Sequence, residues 1–333
     1  MRVVVIGGTG HVGSYVVPRL VEDGHDVVCV SRGNARPYTS GRAWDVVQVV
    51  TIDRSASETA GDFGSSLLHL RPEVVVDLIG FSRESTEQIV GVLRDHIAHF
   101  VHCGTIFVMG HGISVPTTED EPRNAFGDYG VQKAEIEAYL LDEAERSGFP
   151  ATVLHPGHVV GEGWWPLNPA GNFNPEVFAA LSRGEELALP HFGLETIHHV
   201  HADDVAAAFC GAIRHREVAV GQSYYIVSEA ALTLRGFAEE IARWFGTEPR
   251  LRFLPWDDWA GLVSVDDRSA TWEHLARSPN HSTVKARVQL QYEPRYTSLA
   301  AVEESLSWMI EKGRLPGRGS RSGGASGITG VQA

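Results

Sequence analysis

A tyrosine followed four places later by a lysine, Tyr129-x-x-x-Lys133, is the pattern in this chain with the most direct chemical reading. On a helix the two side chains lie one turn apart on one face. An ammonium so placed stabilises phenolate and lowers the tyrosine pKa toward the working range of a general acid/base. The chain holds eight tyrosines but only three lysines, Lys133, Lys285 and Lys312, so chance would give this pairing roughly 0.07 times. Asp128 stands where it would cap the helix, and Val131, Ala134, Ile136 and Ala138 supply apolar positions along it.

A second pattern supplies a partner for that chemistry. Gly7-x-x-Gly10-x-x-Gly13 follows the apolar run Val3 to Ile6 and precedes a helical pattern, the context in which such glycines bind a dinucleotide. Gly7 and Gly10 permit a tight turn and a close approach of backbone N–H groups to a pyrophosphate, while Gly13 lets helix and strand pack closely. Thr9, His11 and Val12 belong to the same loop and helix start.

The cofactor's ribose is read further on. About twenty residues past the glycines a carboxylate would accept the ribose hydroxyls of NAD, but the second strand ends in Val30-Ser31-Arg32. Arg32 offers a planar fork for a 2'-phosphate, with Ser31 as a donor and Arg36 as a second cation. NADP is therefore expected ahead of NAD. Asp53, after the third strand, reads either as a partner of the adenine edge or as a carboxylate capping its own loop.

These residues need a scaffold, and the sequence supplies an α/β one. Short Val-rich runs, Val3 to Ile6, Val27 to Val30, Val46 to Val50, Val74 to Ile79 and Phe100 to His102, alternate with helical patterns. They read as strands buried on both faces of a parallel sheet, built from right-handed βαβ units in a doubly wound Rossmann fold. Val12, Val16 and Leu20 form one helical face, Gly24 marks the helix end, and Pro18 is expected to bend it.

The expected organisation is a dinucleotide-binding domain over residues 1–155, then a smaller, mainly substrate-binding lobe over 156–316 with segments returning to the first domain. A strand at Tyr224 to Val227 and a helix near Leu234 to Phe245 belong to this second part. Residues 317–333, rich in Gly, Ser and Arg, carry little apolar surface to offset ordering entropy and read as a disordered tail.

Composition excludes several function classes. The net charge of -14 opposes binding a polyphosphate backbone, so no nucleic-acid partner is expected. No apolar stretch reaches the length of a membrane span, and Met1-Arg2 runs directly into a strand and glycines, so neither a membrane partner nor a signal peptide is expected. Cys29, Cys103 and Cys210 sit in apolar contexts and read as buried thiols of a cytoplasmic protein.

Taken in order, the motifs resemble the extended branch of the short-chain dehydrogenase/reductase superfamily, the NAD-dependent epimerase/dehydratase family, over roughly residues 1 to 260. The elements are Gly7 to Gly13, Asp77, the run His102 to Gly110, Tyr129/Lys133, His155-Pro156-Gly157, and His199-Val200-His201-Ala202-Asp203-Asp204-Val205-Ala206. The resemblance implies that Thr105 is the catalytic hydroxyl that orients the reacting oxygen. It implies Tyr129 as the proton-transfer residue and Lys133 as a ligand of the nicotinamide ribose that tunes Tyr129. Gly80 and His155 complete the implied cofactor set, and a homodimer is implied as well.

The chain departs from that pattern in several places. Family members acting on nucleotide sugars usually have an alanine-rich loop where this chain has Asp77 to Ser82, Arg-Pro-Gly where it has His155-Pro156-Gly157, and Val-Tyr-Gly where it has Val108-Met109-Gly110. With Arg32-Gly33 after the second strand, these features look more like the branch that contains chloroplast stem-loop-binding proteins.

For the substrate, Trp164, Asn168, Asn172, His158, His199 and Phe81 are the expected contacts, with rings to stack on a base or sugar and amides to hold diphosphate or hydroxyls. Packing of the second lobe is the alternative use of Trp164 and Trp165. The cluster His198, His199, His201, Asp203 and Asp204 has metal-ligand chemistry, but the resemblance favours Asp204 as a helix cap or lobe-bridging partner, and no metal is expected. The expected function is an epimerase or dehydratase acting by hydride transfer on a nucleotide- or nucleoside-linked sugar. Two others compete: an NADPH-dependent ketoreductase of a small metabolite, and a catalytically silent cofactor-sensing or RNA-binding relative.

Overall fold

Strands β1 (Arg2–Ile6), β2 (Asp26–Ser31), β3 (Gln48–Thr51), β4 (Val74–Asp77), β5 (His99–Cys103) and β6 (Ala151–Pro156) join a last strand, Gln222–Ile226, in one seven-stranded sheet. The computed structural model that shows this describes residues 1–317. From one edge the order is Gln222–Ile226, β6, β5, β4, β1, β2, β3, with every pairing parallel. The chain moves outward from β1 to β3 and then returns to β4 on the other side of β1. That reversal opens a crevice at the carboxyl ends of β1 and β4, where this class of sheet takes its ligands.

In β1, β2, β4, β5 and β6 Val-rich runs form the strands because both faces are covered; β3, at the sheet edge, departs from the two-sided burial expected of it and leaves Val49 exposed. Val3, Val5, Val76, Val101 and Leu154 pack on one side with Val16, Val17 and Leu20 of α1 (His11–Glu22) and Val205 and Phe209 of the helix Ala202–Arg214. Their neighbours Val4, Ile6, Val75, Phe100 and Val153 pack on the other side. There they meet α3 (Phe63–His69), α4 (Arg83–Leu93) and α5 (Asp128–Ser147); α2 (Arg54–Ala60) precedes α3. The two-residue alternation of a strand thus feeds two cores at once, each fully buried Val, Ile or Leu contributing about 1.5–3 kcal/mol.

Pro18 does not interrupt α1, which runs unbroken from His11 to Glu22. Proline cannot donate to the carbonyl four residues back, Ser14 O. Thr39 Oγ1 donates to that carbonyl instead, at 2.6 Å, so the loop after β2 fills the gap. Strand β4 is shorter than the run Val74 to Ile79 because the Asp77 carboxylate accepts the Ile79 N–H at 3.1 Å and turns the chain. Strand β3 begins at Gln48, since a single helical turn, Arg42–Asp45, precedes it.

A second apolar core lies beyond β6. It joins the helices Pro175–Ser182, Leu234–Phe245 and Ser298–Glu311 through residues such as Phe178, Phe237, Ile241, Trp259, Leu306 and Met309. Thr233 and Thr297 cap two of these helices. The strands His158–Val160 and His199–His201 pair in parallel and bring the second core against the main sheet. All three cysteines are buried free thiols. Among the described residues no helix is long and apolar enough to cross a membrane. The stretch expected to be a disordered tail lies outside the described residues apart from Gly317.

Candidate active site

A cavity of about 510 Å³ covers the carboxyl ends of β1, β2 and β4. Gly7, Thr9 and Gly10 form one wall, Ser31, Arg32 and Asp53 another, and Phe81, Ser82 and Gln132 lead toward α5. Gly7 has a φ of +84°, and a Cβ on Gly13 would come within 2.6 Å of the Gly7 and Gly8 carbonyl oxygens. The loop therefore cannot form without glycine at these places. No side chain caps the first turn of α1, so its N–H groups remain available to an anion at the positive end of the helix. This is the donor set a dinucleotide pyrophosphate requires.

Around that loop the predicted residues take different positions. His11 turns inward: its ring is 7% exposed and stacks on Trp164 at 5.1 Å, with Tyr15 and Tyr38 edge-on to it. Burial, with His201 nearby, lowers its pKa to about 3 and leaves it neutral. The side chain of Val12 packs against the first core. Only the backbone of these two residues is placed for a cofactor. Arg32 is exposed at the cavity and, among the described residues, has no ion-pair partner, whereas Ser31 Oγ accepts the Gly33 N–H at 3.3 Å. Asp53 lines the cavity, but its carboxylate caps α2 by accepting the Ala56 N–H at 3.0 Å.

Beneath Asp53 lies a feature the sequence reading missed. Arg54 is 8% exposed and donates to Asp77 Oδ1 at 2.8 Å, Glu58 Oε1 at 2.6 Å and Ser85 Oγ at 2.6 Å. Against burial, which alone would raise it, Arg54 and then His102 hold the Asp77 carboxyl below its ordinary pKa. Nothing local distinguishes Arg54 from a surface arginine; only the fold brings it over Asp77.

The reacting groups meet at the ends of β4 and β5. Helix α5 starts at Asp128 after Gly127, with no side-chain cap, so Asp128 is its first residue rather than its cap. One turn in, Lys133 is 2% exposed and donates from Nζ to Gly80 O at 2.7 Å and Cys103 O at 2.6 Å. Burial lowers its pKa. Gly80 thus contributes a carbonyl to the lysine, and Phe81 places its ring 5.0 Å from the same ammonium.

Tyr129 is 45% exposed as a residue, yet the surroundings of its hydroxyl push its pKa up to about 12. Burial is the chief cause and the Cys103 thiol adds to it; the hydrogen bond with Thr105 opposes both. The expected lowering by Lys133 is not found, because the ammonium is turned toward the two carbonyls. Thr105 is buried, and its Oγ1 also accepts the Phe107 N–H at 3.3 Å, capping the short turn Ile106–Met109.

His155, expected at the cofactor, is directed elsewhere. Its Nδ1 accepts the Thr105 N–H at 3.1 Å and its Nε2 lies 3.0 Å from Glu137 Oε1.

On the substrate side Phe107 is the centre of an aromatic wall. Its ring is edge-on to Tyr129 at 6.0 Å, to His158 at 5.7 Å and to His274 at 5.6 Å, and the Arg277 guanidinium lies 4.1 Å from it. Burial, with His274 and His199 next to it, keeps His158 neutral, its pKa well below the ordinary value. Trp164 and Phe81 remain about half exposed.

Asn168 and Asn172 are corrected to structural residues. Both are buried, bonded to each other at 2.6 Å, and Asn172 Nδ2 donates to Thr271 Oγ1 at 3.0 Å. Their amides are consumed by the loop they shape. His199 is likewise buried, its Nε2 3.2 Å from Leu167 O and its ring against Phe237. Phe107, His274 and Arg277 were missed, the last two because nothing near them in sequence marks them as neighbours of Tyr129.

The histidine and aspartate cluster is divided among separate tasks. His201 caps the helix Ala202–Arg214 through the Asp203 N–H and sits 2.9 Å from Glu304. Asp203 pairs with Arg19 and Arg295, and Asp204 accepts the Arg295 and Tyr296 N–H groups at 2.9 and 3.1 Å. Asp204 is a bridge, and the cap is His201. Among the described residues no group of three His, Cys, Asp or Glu could hold a metal ion.

Comparison with known proteins agrees with this geometry. The chain is 28% identical over 236 residues to UDP-glucose 4-epimerase of Mycolicibacterium smegmatis, covering 64% of this chain and 73% of that protein. It is 23% identical over 261 residues to dTDP-D-glucose 4,6-dehydratase of Mus musculus, 72% of each chain. Its fold matches UDP-glucuronic acid 4-epimerase of Bacillus cereus, solved with UDP-glucuronic acid and NAD, with a TM-score of 0.71, 17% identity, and coverage of 94% of this chain and 100% of that one. The model of the NAD dependent epimerase/dehydratase family matches residues 3–227, well over half the chain, and the protein belongs to that family of NAD-dependent enzymes.

Proposed function

We propose that the protein interconverts or oxidises a nucleotide-linked sugar by reversible hydride transfer, with Tyr129 as the proton-transfer residue and NADP as the favoured dinucleotide. The observation that carries this reading is that the Thr105 and Tyr129 side chains stand together beside buried Lys133, next to a cavity that starts on the glycine loop and reaches Gln132 of α5. The relatives that match are named for UDP-glucose and dTDP-glucose chemistry, which supports the substrate class.

The bound dinucleotide supplies a hydride acceptor and donor at C4 of its nicotinamide. Everything else falls to the chain. Thr105 Oγ1 orients the sugar oxygen, and the Tyr129 phenolate takes the hydroxyl proton as the carbon gives up hydride; in the reverse direction the phenol returns that proton to the carbonyl oxygen. Lys133 has two of its three N–H bonds spent on Gly80 and Cys103 and offers the third to a ribose hydroxyl. Phe107 and neutral His158 and His274, with the Arg277 guanidinium over the Phe107 ring, wall the side of Tyr129 on which a substrate would lie. The guanidinium of Arg32, without an ion-pair partner among the described residues, supports a 2'-phosphate on the cofactor.

The test is a panel of UDP-galactose, UDP-glucose, UDP-glucuronic acid and dTDP-glucose, each with NADP or NAD, read by mass spectrometry and NMR. Conversion of one sugar by wild type, and its loss by about 100- to 10,000-fold in Tyr129→Phe with cofactor affinity kept, is expected. Equal turnover by Tyr129→Phe would sink the mechanism. Net consumption of NADPH with a simple ketone, and none of the sugars, would replace the reading by a reductase.

A further inference from the structure

We propose that Glu137 and His155, clamped by Arg123, are positioning residues for the reaction: they hold the Thr105 backbone so that its hydroxyl meets Tyr129. The inference rests on the reading of Thr105 and Tyr129 as the reacting pair, and extends it to Arg123 and Glu137, which no motif marks, and to His155, for which it gives a different role.

Four contacts in series make the case. Arg123 donates to both oxygens of Glu137, from Nε to Oε2 at 3.0 Å and from Nη2 to Oε1 at 2.7 Å. Glu137 Oε1 lies 3.0 Å from His155 Nε2. His155 Nδ1 accepts the Thr105 N–H at 3.1 Å, and the Thr105 hydroxyl stands beside that of Tyr129. Because a backbone N–H can only donate, Nδ1 must carry the lone pair and the ring proton sits on Nε2, the nitrogen 3.0 Å from the carboxylate. The arrangement thus selects one tautomer. Glu137 and His155 are 3% and 0% exposed, so water does not substitute for either partner.

The placement on α5 gives the series its purpose. Tyr129, Lys133 and Glu137 follow at four-residue spacing, so one helix face meets the loop after β5 at three heights: Tyr129 on the Thr105 hydroxyl, Lys133 on Cys103 O, and Glu137, through His155, on the Thr105 N–H. Gly104 completes the fit, since a Cβ there would stand 2.3 Å from His155 Nδ1. A hydroxyl misplaced by about 1 Å loses on the order of 100-fold in rate, and this series sets its height from the backbone side. Arg123 also binds the Glu119 and Glu121 carbonyls at 3.0 and 2.9 Å, which anchors the clamp.

The experiment uses the full chain with His155→Gln, His155→Leu, Glu137→Gln and Thr105→Val. Glutamine can accept the Thr105 N–H and still donate to Glu137; leucine can do neither. Amide hydrogen exchange at Thr105 needs no substrate: the leucine variant is expected to exchange about 10-fold faster or more, and the glutamine variant close to wild type. Unchanged protection in His155→Leu overturns the proposal. If that variant does not fold, Glu137→Gln, equal in size, carries the same expectation and the same refutation. On the nucleotide sugar that wild type converts, His155→Leu is expected to lower kcat by about 10- to 100-fold with KM little changed, and to add nothing in the Thr105→Val background. Losses that multiply across those two changes would mark a merely structural role and overturn it. Failure of wild type to convert any sugar refutes the function, and the exchange measurement still decides the positioning.

Discussion

The ammonium of Lys133 lies 2.6 Å from the carbonyl oxygen of Cys103, two residues before Thr105. The lysine therefore braces the loop that carries the threonine, in addition to any role toward a cofactor. A charge inside the protein needs such partners, and two carbonyl dipoles supply them. This bond gives the lysine a structural task alongside the tuning of Tyr129 expected from their spacing.

Lys133→Met should consequently lower stability as well as activity. Gly80 O and Cys103 O would each lose a buried donor, at about 1–3 kcal/mol per group. Thermal unfolding of the variant is expected several degrees below wild type. A Tm equal to wild type would show that the two carbonyls find other donors.

The raised pKa of Tyr129, about 12, sets the sign of the pH dependence. A phenol with a raised pKa is protonated through the neutral range, so it is ready to act as an acid in the reductive direction. As a base it must first lose its proton, and the reactive fraction grows with each pH step below the pKa. The oxidative rate is expected to rise with pH across the neutral and mildly alkaline range, while the reductive rate stays flat. An oxidative rate that levels off near neutrality would show that the bound cofactor lowers the tyrosine pKa.

Arg32→Ala should weaken NADP by about 10- to 100-fold, the worth of charge-assisted hydrogen bonds to a phosphate, and leave NAD little changed. Titration of both dinucleotides into wild type and variant by calorimetry measures it. Equal NADP affinity in the two proteins would remove Arg32 from the site.

The buried pair Arg54–Asp77 is a stability element under the cavity. Arg54→Leu would leave the fully buried Asp77 carboxylate without its partner, at about 3–5 kcal/mol. The pKa of Asp77 is lower folded than unfolded. Its contribution is thus present above the unfolded carboxylate pKa and is lost as pH falls through the lower, folded value. Denaturant titrations at neutral and acid pH should show the gap between wild type and Arg54→Leu narrowing in acid. A gap independent of pH would mean that packing, not charge, accounts for the loss.

What could be read from the chain alone was local. Glycines at three-residue spacing after a Val-rich run, and a lysine four places after a tyrosine, are patterns within one turn or one helix, where spacing dictates geometry directly. The same holds for the two-sided burial of the inner strands, since a continuous apolar run is itself the signal; the edge strand β3, with the same kind of run, is exposed because no strand lies beyond it. Arg32 was singled out for the same reason, as the residue that follows the second strand, and the fold sets it at the cavity.

The tertiary structure decided everything that depends on which polar group is spent elsewhere. Asn168 and Asn172 have the chemistry of ligand-binding amides, but burial forces them onto each other and onto Thr271. His155 stands at a strand end where the sequence suggested a cofactor contact, yet its Nδ1 accepts the Thr105 N–H and its Nε2 lies against Glu137. His274 and Arg277 reach Phe107 across some 170 residues, a meeting that no local pattern encodes. The pairing of Tyr129 with Lys133, plain in the sequence, kept its place and changed its meaning. The helix puts both side chains on one face, while the fold turns the ammonium to backbone carbonyls and leaves the phenol to Thr105. Unsatisfied buried groups are too costly to leave alone, so each polar atom goes to its nearest competent partner, and only the folded chain determines which partner that is.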